Sequence, residues 1–414
     1  MTMDKVLILL PKTLTLLRSR RGMTNPVDPE SYSMYFENFI YPLREEMDVV
    51  IDCAYGGNMG NCWKIDVFPE NTDSFPLSVK VYDEWGKLLA KADTQVRLVE
   101  KSLNPEEFRI LCFGDSMTHR HFYVDRMAGK LNNLRTLGTR TFGGGVFHEG
   151  RGGWDLGTYL GLYEDGWGGP SPFLFPKNVA GRDYYGAKSF YDRLLTPITD
   201  PYSLDGYRWE PVKEGQSFFD GGKLWRYSAD GNTLFDENPV FEFDFGKYLE
   251  RHNLPAPDVF SLLMGANDVQ NVPYEDGPAA VERFMNNLDT VVSSVRKCCP
   301  KTEIILHLPV TGAEQYAWGL RGNGSFKRYR LHTLLVSEAI LGRYEGREHF
   351  RICPTRLFTD PEYGFARAAE SANVFSDVLI EHQNNWVHPN LAGYNQMGDV
   401  LASLVEDIRK QDGK

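Results

Sequence analysis

The stretch from Phe108 to Thr118 limits what this chain can fold into more than any other. Phe108-Arg109-Ile110-Leu111-Cys112 is a short apolar run of strand length. Phe113-Gly114-Asp115-Ser116-Met117-Thr118 follows it with turn chemistry, and then comes a polar segment where helical spacing becomes possible. This predicts a strand-to-helix turn. A serine at such a turn is lifted out of the sheet, with the backbone N–H groups after it pointing to where an oxyanion would develop. Gly-Asp-Ser is also common turn chemistry, so the rest of the chain has to decide between the two.

Downstream, strands alternate with helical stretches. Asp258 to Met264 reads as a buried strand ending at Gly265-Ala266-Asn267-Asp268, and Glu303 to Leu308 and Phe350 to Cys353 read as later strands. Val281 to Cys298 has helical spacing, with Phe284, Leu288, Val291, Val292 and Val295 on one face and Pro300 as the stop. Leu331 to Leu341 and Asn390 to Arg409 read as further helices. The alternation predicts a three-layer α/β domain with a parallel sheet. Ligands of such sheets sit outside the carboxyl ends of the strands. Ser116 and Asn267 each follow such an end, which brings them to one crevice.

Residues 1 to about 102 have a different pattern. Met47 to Asp52, Trp63 to Phe68, and the pair Leu77 to Tyr82 and Ala92 to Val99 around Asp83-Glu84-Trp85-Gly86 read as short strands. They predict a small all-β sandwich, with Ser102-Leu103-Asn104-Pro105 as linker and a second domain over 106–414. Val6 to Leu17 is apolar, but its arginines follow the run and Pro11-Lys12 interrupts it, the reverse of a signal peptide. It is read as the first strand. No run reaches the ~18 apolar residues of a membrane span, so no membrane partner is expected and a cytoplasmic location is the default. With 414 residues, 42% of them hydrophobic, the chain can build a sizeable core. Its net charge of -11 argues against a nucleic-acid partner. Six cysteines form no CxxC pair, and only Cys53 and Cys62 have hairpin-like disulfide spacing. No metal site is expected: His119-Arg120-His121 is the one HxH spacing, and it reads as cleft lining or a helix cap.

Four local patterns fall in a fixed order: Gly114-Asp115-Ser116, then Glu149-Gly150-Arg151-Gly152-Gly153-Trp154, then Gly265-Ala266-Asn267-Asp268, then Asn385-Trp386-Val387-His388-Pro389. In this order they resemble the SGNH hydrolase (GDSL-type esterase) superfamily, over about residues 106 to 410. The amino-terminal β region is similar to modules found in a bacterial subgroup of these enzymes. The resemblance implies a flavodoxin-like hydrolase domain. It also implies a Ser116 nucleophile with His388 as base, and an oxyanion hole from the Ser116 N–H, the Gly150 N–H and the Asn267 amide. Asp115, Arg151, Trp154 and Trp386 are further candidates for substrate contact. No cofactor is required.

The last block departs from the family pattern, which has Asp three residues before the His where this chain has Asn385. A neutral amide can accept the Nδ1 hydrogen bond but brings no charge. Three readings stay open. A Ser-His dyad suffices, with Asn385 O or a backbone carbonyl orienting His388; or another acid substitutes, Asp377 and Glu381 being nearest in sequence; or the enzyme is impaired. An insertion at about 160–250 is rich in Gly and aromatics, including Tyr163, Trp167, Phe173, Phe175, Tyr184, Tyr185, Tyr207, Trp209, Phe218, Phe219, Trp225 and Tyr227. Rings beside polar groups suit sugar faces, so the expected substrate is a small-molecule or glycan ester, above all an O-acetylated carbohydrate. Esterase or lipase action on other acyl chains is the alternative. A weakly catalytic glycan-binding protein on the same scaffold is the rival of a different class.

Overall fold

The Phe108–Gly114 strand lies inside a six-stranded sheet of the computed structural model, which describes residues 6–18, 30–102, 106–162, 171–187, 212–311 and 326–413. The five longer strands are parallel, in the spatial order Leu134–Leu137, Phe108–Gly114, Val259–Leu263, Glu303–His307, Phe350–Cys353. Glu149–Gly150 pairs with the carboxyl end of Phe108–Gly114, setting Gly150 beside Gly114. Counted along the chain this is the 2-1-3-4-5 order of flavodoxin-like sheets, with its switch point between Phe108–Gly114 and Val259–Leu263.

Val259–Leu263 and Glu303–His307 are buried at every position, which requires cover on both faces. Two helix pairs supply it. Phe122–Lys130 packs on Leu391–Gln411, and Gly277–Cys298 packs on Phe326–Tyr344. At the first crossing the backbones come so close that a Cβ on Gly398 would lie 2.7 Å from the Tyr123 carbonyl. In Gly277–Cys298 the face predicted from spacing is buried, together with Val281 and Met285. Each large apolar side chain so buried contributes roughly 1.5–3 kcal/mol.

The amino-terminal region forms a four-stranded sheet in the order Thr13–Arg18, Leu88–Glu100, Ser74–Tyr82, Asp48–Cys53, and a three-stranded one from Tyr32–Tyr35, Cys62–Ile65 and Gly57–Asn58. The predicted hairpin is longer than its sequence signal. Its turn is closed by the Gly86 N–H on Asp83 O and the Trp85 N–H on Asp83 Oδ1, each at 3.0 Å. Val6 to Leu17 is not one strand. Leu7–Ile8 pairs with Ile40–Tyr41, while Thr13–Arg18 runs parallel to Leu88–Glu100; Pro11, without an N–H, lies in the break. Cys53 and Cys62, for all their hairpin-like spacing, are free thiols.

One hydrophobic cluster runs through both regions. The Leu17 N–H donates to Ser403 Oγ at 2.9 Å, and Tyr32 Oη lies 3.1 Å from the same oxygen. Asn38 Nδ2 donates to Thr359 O at 2.8 Å, and the buried Arg356 returns a bond from Nε to Asn38 O at 2.7 Å. The β region is thus docked on the closing helix and the segment before it. Among the described residues no helix is long and apolar enough to cross a membrane.

An element without a clear sequence signal precedes the closing helix. Phe365–Ser371 and Leu379–Pro389 pair antiparallel as a two-stranded arm. Its tip is exposed, and its root carries Asn385 and His388.

Candidate active site

Ser116 begins the short Ser116–His119 helix at the end of its strand. Asp115 caps it, its Oδ1 accepting the Met117 N–H at 2.9 Å. Gly114 has no substitute, since a Cβ there would lie 2.0 Å from Thr118 Oγ1 and 2.7 Å from Leu263 O. The turn therefore lies tight against the neighbouring strand. His388 arrives from the arm, 272 residues later in the chain, and its Nε2 is 2.7 Å from Ser116 Oγ. Just beyond it Asn390 caps the closing helix, accepting the Gly393 N–H at 3.1 Å.

Asn385 is held from both ends. Its Oδ1 accepts the N–H groups of Val387 and His388 at 3.1 and 2.9 Å, so its amino group faces His388 Nδ1 at 3.3 Å. The two backbone donors assign the amide orientation, because the flipped amide would set NH₂ against N–H. An amino group can only donate, so Nδ1 is the acceptor and the ring proton lies on Nε2, toward Ser116. That tautomer cannot take the serine proton. The reading in which Asn385 O orients the imidazole is corrected: that oxygen is committed to the backbone. Asp377 and Glu381 are exposed on the arm, and among the described residues no carboxylate is bonded to His388. Burial, then the charges of Arg120 and His119, push the His388 pKa down to about 4.

The expected oxyanion donors divide. No acceptor among the described residues holds the Ser116 N–H. Asn267 Nδ2 donates one hydrogen to Trp154 O at 2.8 Å and keeps the other. Gly150 does not fit its expected part, because its N–H donates to His148 Nδ1 at 3.0 Å. The close approach that requires glycine there is to the Ser116–His119 helix, where a Cβ would lie 2.1 Å from the His119 nitrogen. Three residues on, Gly153 is exposed, has φ +77°, and has open space where a Cβ would stand.

The remaining candidates are structural. Asp115 is buried as a helix cap, and burial pushes its carboxyl up to about 7. Arg151 is buried, with Nη2 3.0 Å from Glu149 Oε2. Trp154 is buried edge-on against Tyr159. The Trp386 side chain lies outside the described residues, as do Tyr163, Trp167, Tyr207 and Trp209. Phe173, Phe175, Tyr184, Tyr185, Phe218 and Phe219 are all buried; Phe173 alone contacts the rings of Phe113, Tyr159, Phe243, Phe245 and Tyr248. These rings pack the molecule and are not open to a sugar. Trp225 and Tyr227 are half-buried. His121 Nδ1 contacts Asp125 Oδ2 at 2.5 Å, and its ring stacks on Phe142.

Sequence reasoning missed Glu149 and Asp268. Glu149 Oε1 accepts from Thr139 N and Oγ1 at 2.5 Å and from Tyr248 Oη at 2.7 Å, tying the second block to the insertion. Asp268 Oδ1 accepts the Leu156 N–H at 3.1 Å, and burial followed by the charge of Asp155 pushes its carboxyl up to about 7. A charged residue inside a Gly-rich block was the one available signal.

No family model and no curated protein matches the chain. Solved structures similar to it include a carbohydrate esterase family 3 from Talaromyces cellulolyticus, at 12% identity and TM-score 0.37, covering 73% of this chain and 99% of that one. A carbohydrate acetylesterase family member from Sinorhizobium meliloti gives 12% and 0.34, with 73% and 99% covered. A lipase/acylhydrolase from Enterococcus faecalis gives 13% and 0.31, with 73% and 96% covered. Likeness at this level bears on neither substrate nor mechanism. The flavodoxin-like sheet order, with the four ordered blocks gathered around Ser116, agrees with the fold that the resemblance to SGNH hydrolases implies.

Proposed function

We propose that this chain is a serine esterase that works through an acyl-enzyme and is slow at rest because its base is held in the unproductive tautomer. The observation that carries the reading is the 2.7 Å contact between Ser116 Oγ and His388 Nε2. Ser116 attacks the ester carbonyl after His388, in the Nδ1–H tautomer, takes its proton. The Ser116 N–H, the second Asn267 amide hydrogen and the N–H groups of the Gly152-Gly153 turn receive the oxyanion. His388 then protonates the leaving alcohol and activates water for deacylation. Reaching the productive tautomer breaks the Asn385–His388 bond and turns Nδ1–H against an amino group. A buried hydrogen bond left unmade costs about 1–3 kcal/mol, which corresponds to one or two powers of ten in population.

The acyl group we assign is acetyl and the alcohol a carbohydrate hydroxyl. Support comes from the family resemblance and from the half-buried Trp225 and Tyr227 on the insertion. The orientation of Asn385 favours a second reading, an ester- or glycan-binding protein with vestigial chemistry. Release of p-nitrophenol from p-nitrophenyl acetate, measured beside Ser116→Ala and Asn385→Asp, separates the two. Activity lost in Ser116→Ala supports the esterase. Three proteins equal to the buffer blank would leave the binding reading, to be tested on a glycan array.

A further inference from the structure

Arg120 ends the one-turn helix that Ser116 begins. Its N–H donates to Ser116 O at 3.0 Å, and its φ and ψ of -70° and -6° are still helical. Residues four apart share a helix face, and their side chains lean toward the amino end, so Arg120 stands on the nucleophile's face and leans back toward it. The chain then leaves the helix at once, through the left-handed His121 at φ 53°. After burial, the Arg120 charge is the largest influence on His388 and on the Tyr394 hydroxyl, which places the guanidinium near both.

The Arg120 side chain is half-buried, and among the described residues nothing accepts a hydrogen bond from it. The two carboxylates nearest in the chain are engaged elsewhere. Asp115 caps the helix through the Met117 N–H, and Asp125 meets His121 Nδ1 at 2.5 Å. Arg126, six residues on, shows the contrast: its Nε and Nη2 both donate to Asp399, at 2.7 and 3.1 Å. A partly desolvated guanidinium brings five donors, and burying its charge is costly until an anion completes it. The planar fork matches carboxylate and phosphate oxygens two at a time.

We propose that Arg120 is a substrate-binding residue that selects acetylated sugars carrying an anionic oxygen group, a carboxylate or a phosphate, close to the ester. The acetyl group in this statement rests on the esterase reading above; the anion site rests on Arg120 alone. The net charge of -11 opposes an anion at long range. Salt screens that field beyond about 8 Å, whereas the contact with Arg120 is local.

The test uses three monoacetylated methyl glycosides that differ only at C6: a glucoside, a glucuronoside and a glucoside 6-phosphate. Binding is read by calorimetry on the full chain carrying Ser116→Ala, so the result does not depend on turnover. One anionic sugar at least is expected to bind about tenfold or more tighter than the glucoside, the scale of hydrogen bonds to a charged group. Which of the two binds tighter identifies the anion. Adding Arg120→Gln is expected to remove the preference, and adding Arg120→Lys, which keeps the charge but not the fork, to retain part of it. With Ser116 in place, acetate release should show the same preference in KM rather than in kcat. Equal affinity for the three sugars, binding of none of them, or a preference that survives Arg120→Gln overturns the proposal. If p-nitrophenyl acetate turnover is no lower in Ser116→Ala, the esterase reading fails, and the calorimetry still decides on Arg120.

Discussion

Asn385 turns its amide nitrogen to His388, with Nδ2 3.3 Å from Nδ1, because its oxygen is already taken by the N–H groups of Val387 and His388. The hydrogen-bond pattern that holds the residue in place is also what sets the wrong group against the imidazole.

Replacing that nitrogen by oxygen alters one atom and reverses the consequence. In Asn385→Asp one carboxylate oxygen keeps both backbone bonds and the other accepts from Nδ1–H, which frees Nε2 to take the serine proton. In serine proteases the opposite change lowers the rate about 10⁴-fold. A gain of about 10² to 10⁴ in kcat is expected on p-nitrophenyl acetate, and an unchanged rate would show that the tautomer is not what limits turnover.

The acid limb of the rate profile follows from His388. Its folded pKa of about 4 lies below the ordinary value of 6.5, through burial first and then the Arg120 charge. A general base is lost when it is protonated, so kcat/KM should persist as pH falls from 7 and drop only as it passes through about 4. Arg120→Gln removes a positive neighbour and moves the limb up; Asn385→Asp, by stabilising the imidazolium, moves it up further. The same group makes folding less favourable between pH 6.5 and 4, where the unfolded chain takes up a proton that the folded one does not. Initial rates across pH 3.5 to 8 check both directions.

Gly150 and Gly153 should respond differently to alanine. At Gly150 a methyl group would enter the backbone of the Ser116–His119 helix, and the N–H is held by His148. Gly150→Ala is therefore expected to lower thermal stability by several kcal/mol, on the scale of overpacking and backbone displacement. At Gly153 there is room, and only the φ of +77° resists, so Gly153→Ala costs about 1 kcal/mol. Its larger effect should be on kcat, by tilting the N–H assigned to the oxyanion. Melting temperature and kcat measured together separate the pair.

Arg356 tests whether the β region is integral to the fold of the parallel-sheet region. Its guanidinium is fully buried and bonds to Asn38 O, Pro309 O and Thr333 Oγ1, at 2.7, 3.1 and 3.0 Å. Arg356→Leu leaves those acceptors unsatisfied, at about 1–3 kcal/mol for each buried group. One cooperative transition shifted to lower temperature is expected. Two separate transitions would show that the amino-terminal region folds on its own.

Much of this protein was legible in the chain alone. The apolar run before Gly114-Asp115-Ser116, the periodicity of Val281 to Cys298 and the order of four blocks were enough for a parallel α/β sheet with Ser116 and Asn267 in one crevice and, through the resemblance, for His388 as the base, because strand and helix periods and turn chemistry are local. That Val6 to Leu17 breaks at Pro11 was half visible in the proline itself. What only the tertiary structure decided were matters of which atom faces which. The sequence shows that residue 385 is Asn, but the direction of its amide depends on two backbone donors that the arm's root brings to it. Gly150 looked like a backbone donor for substrate, yet its glycine serves the packing of a helix that starts 34 positions earlier. The rings of the insertion were candidates for sugar contact, and burial placed six of the eight described ones in the core. The arm gave almost no signal, since a two-stranded ribbon with apolar residues on both faces has no period to read. Hydrogen-bond direction and burial come from neighbours distant in sequence, and no local pattern encodes them.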